Sequence, residues 1–263
     1  MQRSELWLEQ GGHRLYVQLA RTAADVRAAQ RLRYEVFSTE MGARLNGPEA
    51  GIDEDRFDAH CDHLLVREAG SGDVVGTYRI LGPLAAERAG GYYSEQEFDF
   101  TRLAPLRATL VEIGRSCVRA DHRTGSAITL LWAGLSRYML ARGHAFLVGC
   151  ASISMADGGR AAASAYRRIA ARHLSPPEYR AEPFQRLPCQ CVAEDPDVEL
   201  PPLIRGYLCV GAYVCSEPAW DPDFNTADLL MLLPLTQPNP RYARHYLGDA
   251  AARAVFAPPT LTR

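Results

Sequence analysis

Glu112, Arg115 and Ser116 lie inside Thr109–Val118, a run otherwise β-branched and apolar that reads as a core strand. A charge there needs a reason. A partly buried carboxylate such as Glu112 can take the proton that an ammonium nucleophile must lose before attacking a carbonyl, directly or through water. The alternative for Glu112 and Arg115 is a buried ion pair that fixes the strand. Strict pleating puts Glu112 and Ser116 on one face and Arg115 on the other, so the three converge only if Gly114 introduces a bulge. The turn that follows, Ala120 to Ser126, carries His122, Arg123, Thr124, Gly125 and Ser126 into a helix whose first N–H groups have no intrahelical partner. Such a terminus can face an anion, which makes a phosphate seat possible.

Candidate substrate ligands lie upstream. Arg33 and Phe37 are one helical turn apart on one face. The Gly-, Pro- and acid-rich segment from Asn46 to Asp62 holds Asp53, Glu54, Asp55, Asp58 and Asp62 and leads into the strand His63 to Arg67. An Arg such as Arg33 or Arg79 suits a carboxylate in a ligand, and Asp58 or Asp62 suits an ammonium. Tyr78, Arg79 and His122 can equally be packing and capping residues. Cys189 and Cys191 form the only close cysteine pair and read as packing thiols; no metal site is expected.

These residues need a scaffold, and the periodicities supply an α/β one. Leu15 to Leu19 reads as a first strand. Thr22-Ala-Ala-Asp25 is a helix start leading through Phe37 to a stop near Met41-Gly42. Gly70 to Asp73 turns His63–Arg67 back into an antiparallel Val74–Leu81. Ala127 to Arg142 is apolar nearly all round, a core helix stopped at Gly143. His144–Cys150 completes a β-turn-α-β unit with a parallel pair. A small-residue loop then leads to a helix over Arg160–His173, whose arginines face solvent or an acidic partner. Leu203–Val214 and Ala227–Leu233 read as two further strands, and Gly91–Asp99, aromatic and acidic, either lines a channel or caps a sheet edge. No internal repeat or linker divides residues 1–263, which read as one domain with a core to about 173 and an extension over 174–263.

Composition narrows the classes. With 47% hydrophobic residues the chain can bury a substantial core, and a net charge of −2 gives no electrostatic case for nucleic acid. All 29 basic residues are Arg. Genomic base composition accounts for that, with Arg patches toward an acidic carrier protein or anionic lipid as the functional alternative. Seven scattered cysteines and an N-terminus without an apolar stretch point to a reducing, cytoplasmic setting. No apolar run approaches the roughly 20 residues of a membrane span.

Arg33-Tyr-Glu-Val-Phe37, Asp55-Arg-Phe-Asp58, Asp62-His-Leu-Leu-Val66, Val75-Gly-Thr-Tyr-Arg79, Glu112-Ile-Gly-Arg-Ser-Cys-Val118 and Trp220-Asp-Pro-Asp-Phe-Asn-Thr-Ala-Asp228 together resemble the bacterial ornithine lipid N-acyltransferases. The resemblance covers nearly the whole chain, with Leu200–Leu247 its most specific part. It implies a GNAT-like fold, a mixed twisted sheet flanked by helices with a strand-containing C-terminal extension, similar to the acyl-homoserine-lactone synthases. In those synthases Arg33, Phe37, Asp55, Asp58, Glu112 and Arg115 have counterparts, but Gly114 stands where Ser or Thr is usual. The implied reaction passes a 3-hydroxyacyl chain from acyl carrier protein to the α-amine of L-ornithine. The phosphopantetheine-bearing carrier is then a co-substrate, with no other cofactor, and peripheral association with the inner membrane is an open alternative. Against the usual phosphate turn, a pattern begun at Arg123 puts Ser126 and Ile128 where small residues belong. That favours a donor with one phosphate over coenzyme A. Another acceptor such as glutamine or glycine, a coenzyme A-dependent acetyltransferase and a lactone synthase are the competing readings.

Overall fold

A computed structural model describes residues 6–10, 12–45, 47–123, 125–193 and 195–235. The chain begins with two strands, β1 (Leu6–Gln10) and β2 (His13–Leu19), followed by helix α1 (Ala23–Tyr34). The Thr22 side chain accepts from Asp25 N while the Asp25 carboxylate accepts from Thr22 N, the capping box expected for α1. Past Tyr34 the helix widens to a π-helical stretch over Glu35–Glu40, with Met41 N donating to Val36 O. On this looser stretch Phe37, Glu40 and the largely exposed Met41 line a cavity.

Next come β3 (Asp62–Glu68), β4 (Val74–Leu81), α2 (Pro83–Ala89), the short β5 (Phe98–Asp99), β6 (Leu110–Val118), α3 (Ser126–Arg142), β7 (Phe146–Ser154) and α4 (Arg160–His173). The chain continues through β8 (Glu182–Pro183), α5 (Pro202–Val210), β9 (Tyr213–Val214), β10 (Ala219–Asp221) and β11 (Thr226–Pro234). The main sheet runs β1-β2-β3-β4-β6-β7-β11-β10, with β9 also on β11 and β5 paired to β8 apart from it. Every pairing in it is antiparallel except β6 with β7. β11 pairs with β7 along its whole length, so the C-terminal strands continue the same sheet.

Helices cover both faces, because the strands bury alternate side chains on opposite sides. Leu64 and Val66 pack with Leu131, Leu135 and Met139 of α3, whereas Leu65 packs with Ala29, Leu32 and Val36 below α1. Gly134 permits the close approach of α3, since a Cβ there would come within 2.9 Å of Val17 and 3.1 Å of Leu64.

One expected strand is a helix. Leu203–Val214 is rich in β-formers, yet Ile204, Tyr207 and Val210 recur at helical spacing and are the buried positions of α5. Pro202 opens that helix and Gly211, in the left-handed region at φ 102°, closes it. Only Tyr213–Val214 remains as strand. On α4, Arg167 donates to the carbonyls of Cys189 and Val192 and Arg168 to that of Val198, so both cations anchor the 189–198 segment. The part of Leu200–Leu247 beyond 235 lies outside the described residues.

Candidate active site

β6 and β7 pair over three registers only, Leu110 with Phe146 to Glu112 with Val148. Gly149 marks the last close approach: a Cβ there would fall 2.3 Å from the Ile113 carbonyl oxygen. Beyond it the strands share no ladder, and a cavity of about 840 Å³ opens, lined by Glu112, Gly114, Arg115 and Ser116 on β6 and by Cys150 and Ser152 on β7.

The anticipated bulge is present, one residue past Gly114. Opposite β4 the register shifts between Thr77 and Arg79, and Arg115 takes φ 49°, the left-handed region that a side chain rarely adopts. It brings Arg115 round to the Glu112 side, where its guanidinium stacks over Tyr93 at 4.9 Å and Phe224 at 4.7 Å. Ser116 points instead to Tyr78, whose hydroxyl lies 3.0 Å from that of Tyr207.

Glu112 does not pair with Arg115. Its carboxylate accepts from Tyr93 N (2.6 Å), Ser94 N (2.8 Å) and Ser94 Oγ (2.6 Å), all from the short helical turn Tyr93–Gln96. Burial raises its proton affinity above that of an ordinary carboxylate, and the hydrogen bonds from Ser94 and Tyr93 offset part of that rise. The Gly91–Asp99 segment thus lines the cavity and positions Glu112. Its lack of a hydrophobic period hid that role, and Ser94 gave no signal in sequence.

Arg33 and Asp58 are not on the cavity wall. Arg33 is fully buried, giving Nε to Asp53 (2.7 Å) and Nη1 and Nη2 to Asp58 (2.6 and 2.9 Å). Burial alone would raise the Asp58 carboxyl, but Arg33, followed by Arg79, holds it well below the usual range. Asp62 is a further correction: half-exposed on β3, it accepts from the Tyr138 hydroxyl at 2.8 Å and lies 3.5 Å from Arg142, away from the cavity. Asp58 is spent on a buried ion pair and Asp62 faces outward, so neither is placed to meet an ammonium in this space. Asp55 is intermediate, bonded to Arg79 (2.6 Å) and Arg115 (3.2 Å) on the wall of an adjoining groove. Arg79 and Phe37 do line the cavity.

The opposite end is the turn before α3. His122, Arg123 and Gly125 line it, and Gly125, at φ 98°, starts a helix whose first turn has no side-chain cap among the described residues. Ser126 is buried in the first turn. Arg123 reaches Glu40 at 2.6 Å and donates to Val118 O at 2.9 Å; His122 Nδ1 lies 2.6 Å from Asp121. Thr124 lies outside the described residues. Between the two ends the wall is apolar, made by Val36, Ile128, Trp132, Leu203 and Tyr207.

The wall nearest Glu112 holds three acids that sequence reading passed over: Asp221 and Asp228 of the C-terminal strands, and Glu97 behind them. Asp221 and Asp228 fall inside the Trp220–Asp228 motif, but no period or spacing marked them as cavity residues.

A sheet splayed at a parallel pair, with a bulged strand on one side of the gap and a helix N-terminus without a side-chain cap among the described residues beside it, defines an acyltransferase of the GNAT type. Residues 32–133 match the acetyltransferase (GNAT) domain family. The AHL synthase LasI shares the fold with a TM-score of 0.51 at 14% identity, over 90% of this chain and 96% of its own. FeeM, an N-acyl amino acid synthase from uncultured soil microbes, does so with 0.50 at 12%, over 84% and 91%. Sequence relatives are nearer: the L-ornithine N(alpha)-acyltransferase of Rhizobium meliloti (strain 1021) is 37% identical over 90% of this chain and 85% of its own. That of Brucella abortus (strain 2308) is 35% identical over 90% of each. The chain belongs to the L-ornithine N(alpha)-acyltransferase family.

Proposed function

We propose that the protein transfers a 3-hydroxyacyl chain from acyl carrier protein to the α-amine of L-ornithine, giving the lyso form of a phosphorus-free lipid. The observation that carries this reading is one continuous cavity joining a helix N-terminus, through an apolar wall, to a buried carboxylate. Those are the requirements of a phosphopantetheine arm, an acyl chain and an amine nucleophile, in that order. The relatives named for L-ornithine over most of their length support the acceptor.

In this reading the free N–H groups of Ser126 and the following residue, with His122, Arg123 and Gly125 around them, take the donor phosphate; Thr124 is assigned to the same turn. The thioester carbonyl lies in the gap between β6 and β7, where backbone N–H groups no longer shared with a neighbouring strand face the developing oxyanion. The ornithine α-amine attacks that carbon, Glu112 takes the amine proton directly or through water, and the carbon–sulfur bond breaks, the pantetheine sulfur taking up that proton to leave as the thiol. Arg115, already neutralised in part by Asp53 and Asp55, faces the acceptor carboxylate together with Arg79. Ser116, through Tyr78, shapes the donor side. No metal or further cofactor is required by this chemistry.

No helix among the described residues is long and apolar enough to cross a membrane; we place the protein in the cytoplasm, meeting the inner membrane face through its lipid product.

The test is direct: purified protein, 3-hydroxyacyl carrier protein and L-ornithine, with the product read by mass spectrometry. Acylated ornithine at a rate well above that with the matching acyl coenzyme A supports the proposal. Equal use of the coenzyme A thioester overturns the donor assignment, and preferential acylation of glutamine or glycine overturns the acceptor.

A further inference from the structure

Glu97, Cys150 and Asp228 bring their side-chain oxygens and sulfur within 4.8 Å of one another; Cys150 and Asp228 line the cavity with Glu112, and Glu97 lines the adjoining groove. Asp228 is buried on β11, its Oδ1 accepting from Thr226 Oγ1 at 3.0 Å. Glu97 shares a hydrogen bond with Asp228, and its Oε2, sealed from solvent, has no further partner among the described residues. Asp221 stands close enough to act on both. Among the described residues no arginine or histidine forms an ion pair with any of the three acids, in contrast to Asp53, Asp55 and Asp58, each of which has one. A buried acidic group with no cation is costly unless something supplies the charge.

We propose that Asp228 and Asp221, with Glu97 behind them, bind the side-chain ammonium of the amino-acid acceptor and so set the enzyme's preference for a diamino acid. The inference rests on the acylation reaction proposed above. Geometry favours it because Ser94 Oγ touches both ends of the site, lying 2.6 Å from Glu112 and 3.2 Å from Cys150. The two nitrogens of ornithine are separated by five bonds, roughly 6 Å at standard bond lengths. An α-amine at Glu112 therefore places the second nitrogen at this cluster. Burial and mutual repulsion raise the proton affinity of Glu97 and Asp228, so the empty pair holds a proton that an arriving ammonium displaces. A metal ion is the competing occupant of such a triad. Burial, the first cause, and the neighbouring Glu97 and Asp228 keep the Cys150 thiol protonated far above its usual range, and a thiol is a poor metal ligand.

The experiment compares L-ornithine with L-norvaline, which lacks only the terminal nitrogen, as acceptors for wild type, Asp221→Asn and Asp228→Asn. Wild type should favour ornithine in kcat/KM by on the order of a hundredfold or more, since a charged pocket rejects the analogue that leaves it unpaired. Each variant should lose most of that preference through KM for ornithine while its norvaline rate holds. An unchanged preference, or an equal fall for both acceptors, overturns the assignment. So does activity that a chelator removes and a divalent metal restores. Failure of wild type to acylate any amino acid would instead overturn the reaction itself.

Discussion

Two groups of carboxylates lie within reach of one cavity and are treated in opposite ways. Asp53, Asp55 and Asp58, on the loop after α1, are clamped by Arg33, Arg79 and Arg115. Glu97, Asp221 and Asp228, on the far side, have no such partner among the described residues, and burial with mutual repulsion raises the proton affinity of Glu97 and Asp228. The first group is finished as structure: its charge is used to hold a glycine- and proline-containing loop against the sheet. The second has no cation of the protein's own among the described residues, as the proposed seat for the acceptor's ammonium requires. Compensation distinguishes a structural acid from a recognising one better than acid density does.

The largest effect should come from breaking the clamped group. Asp58→Asn leaves Arg33 buried beside one carboxylate, a loss of about 3–5 kcal/mol for breaking a buried pair. Urea or thermal unfolding will show it as a lower midpoint, with soluble yield reduced. Because the folded Asp58 carboxyl is held below its unfolded value, its contribution is present above about pH 4 and is lost as the pH falls through the folded value. Wild type should therefore lose stability on acidification more steeply than Asp58→Asn does.

Next is Glu112→Gln, between the two groups. Removal of the proton acceptor should lower kcat by about a hundredfold or more. The melting temperature should fall only modestly, because the amide keeps one oxygen for the Ser94 donors. Near wild-type turnover would leave Glu112 as a holder of the Tyr93–Gln96 turn.

A smaller effect is expected at the donor end. Arg123→Glu places a negative charge beside the α3 terminus and removes the contact to Glu40, so KM for the carrier-bound donor should rise several-fold with kcat nearly unchanged. The difference should shrink as salt is added.

Smallest of all is Asp62→Asn. Half-exposed and outside the cavity, Asp62 should leave the ornithine KM within error of wild type in a steady-state assay, even though it follows the clamped acids closely in sequence. A raised KM would return the recognising role to this loop.

Much of the scaffold was legible in the chain. The Thr22 cap, the β3–β4 hairpin, the strand–turn–helix around Glu112 and the strand over 227–233 follow from local chemistry and period. A bulge at Gly114 is expected if Glu112, Arg115 and Ser116 are to converge; it falls one residue later and brings Arg115, but not Ser116, round to Glu112. α5 was misread because its composition favours strand while its spacing favours helix, and packing against Trp132 and the sheet made the spacing decisive. The acceptor wall was not legible, for a different reason. Whether an acid is paired depends on contacts such as Arg33 with Asp58, 25 positions apart, and on Glu97 meeting Asp228 across the fold. No local pattern records those. Ser94, the link between Glu112 and Cys150, is a serine in an irregular segment and acquires meaning only from its neighbours.

The most direct measurement is the position of the new amide. If Glu112 receives the α-amine while Asp228 and Asp221 hold the other nitrogen, fragmentation of the product of wild-type enzyme will show acyl-ornithine substituted at the α-nitrogen alone. Product carrying the chain on the side-chain nitrogen, in comparable or greater amount, would contradict the orientation and with it the division of labour between the two acidic groups.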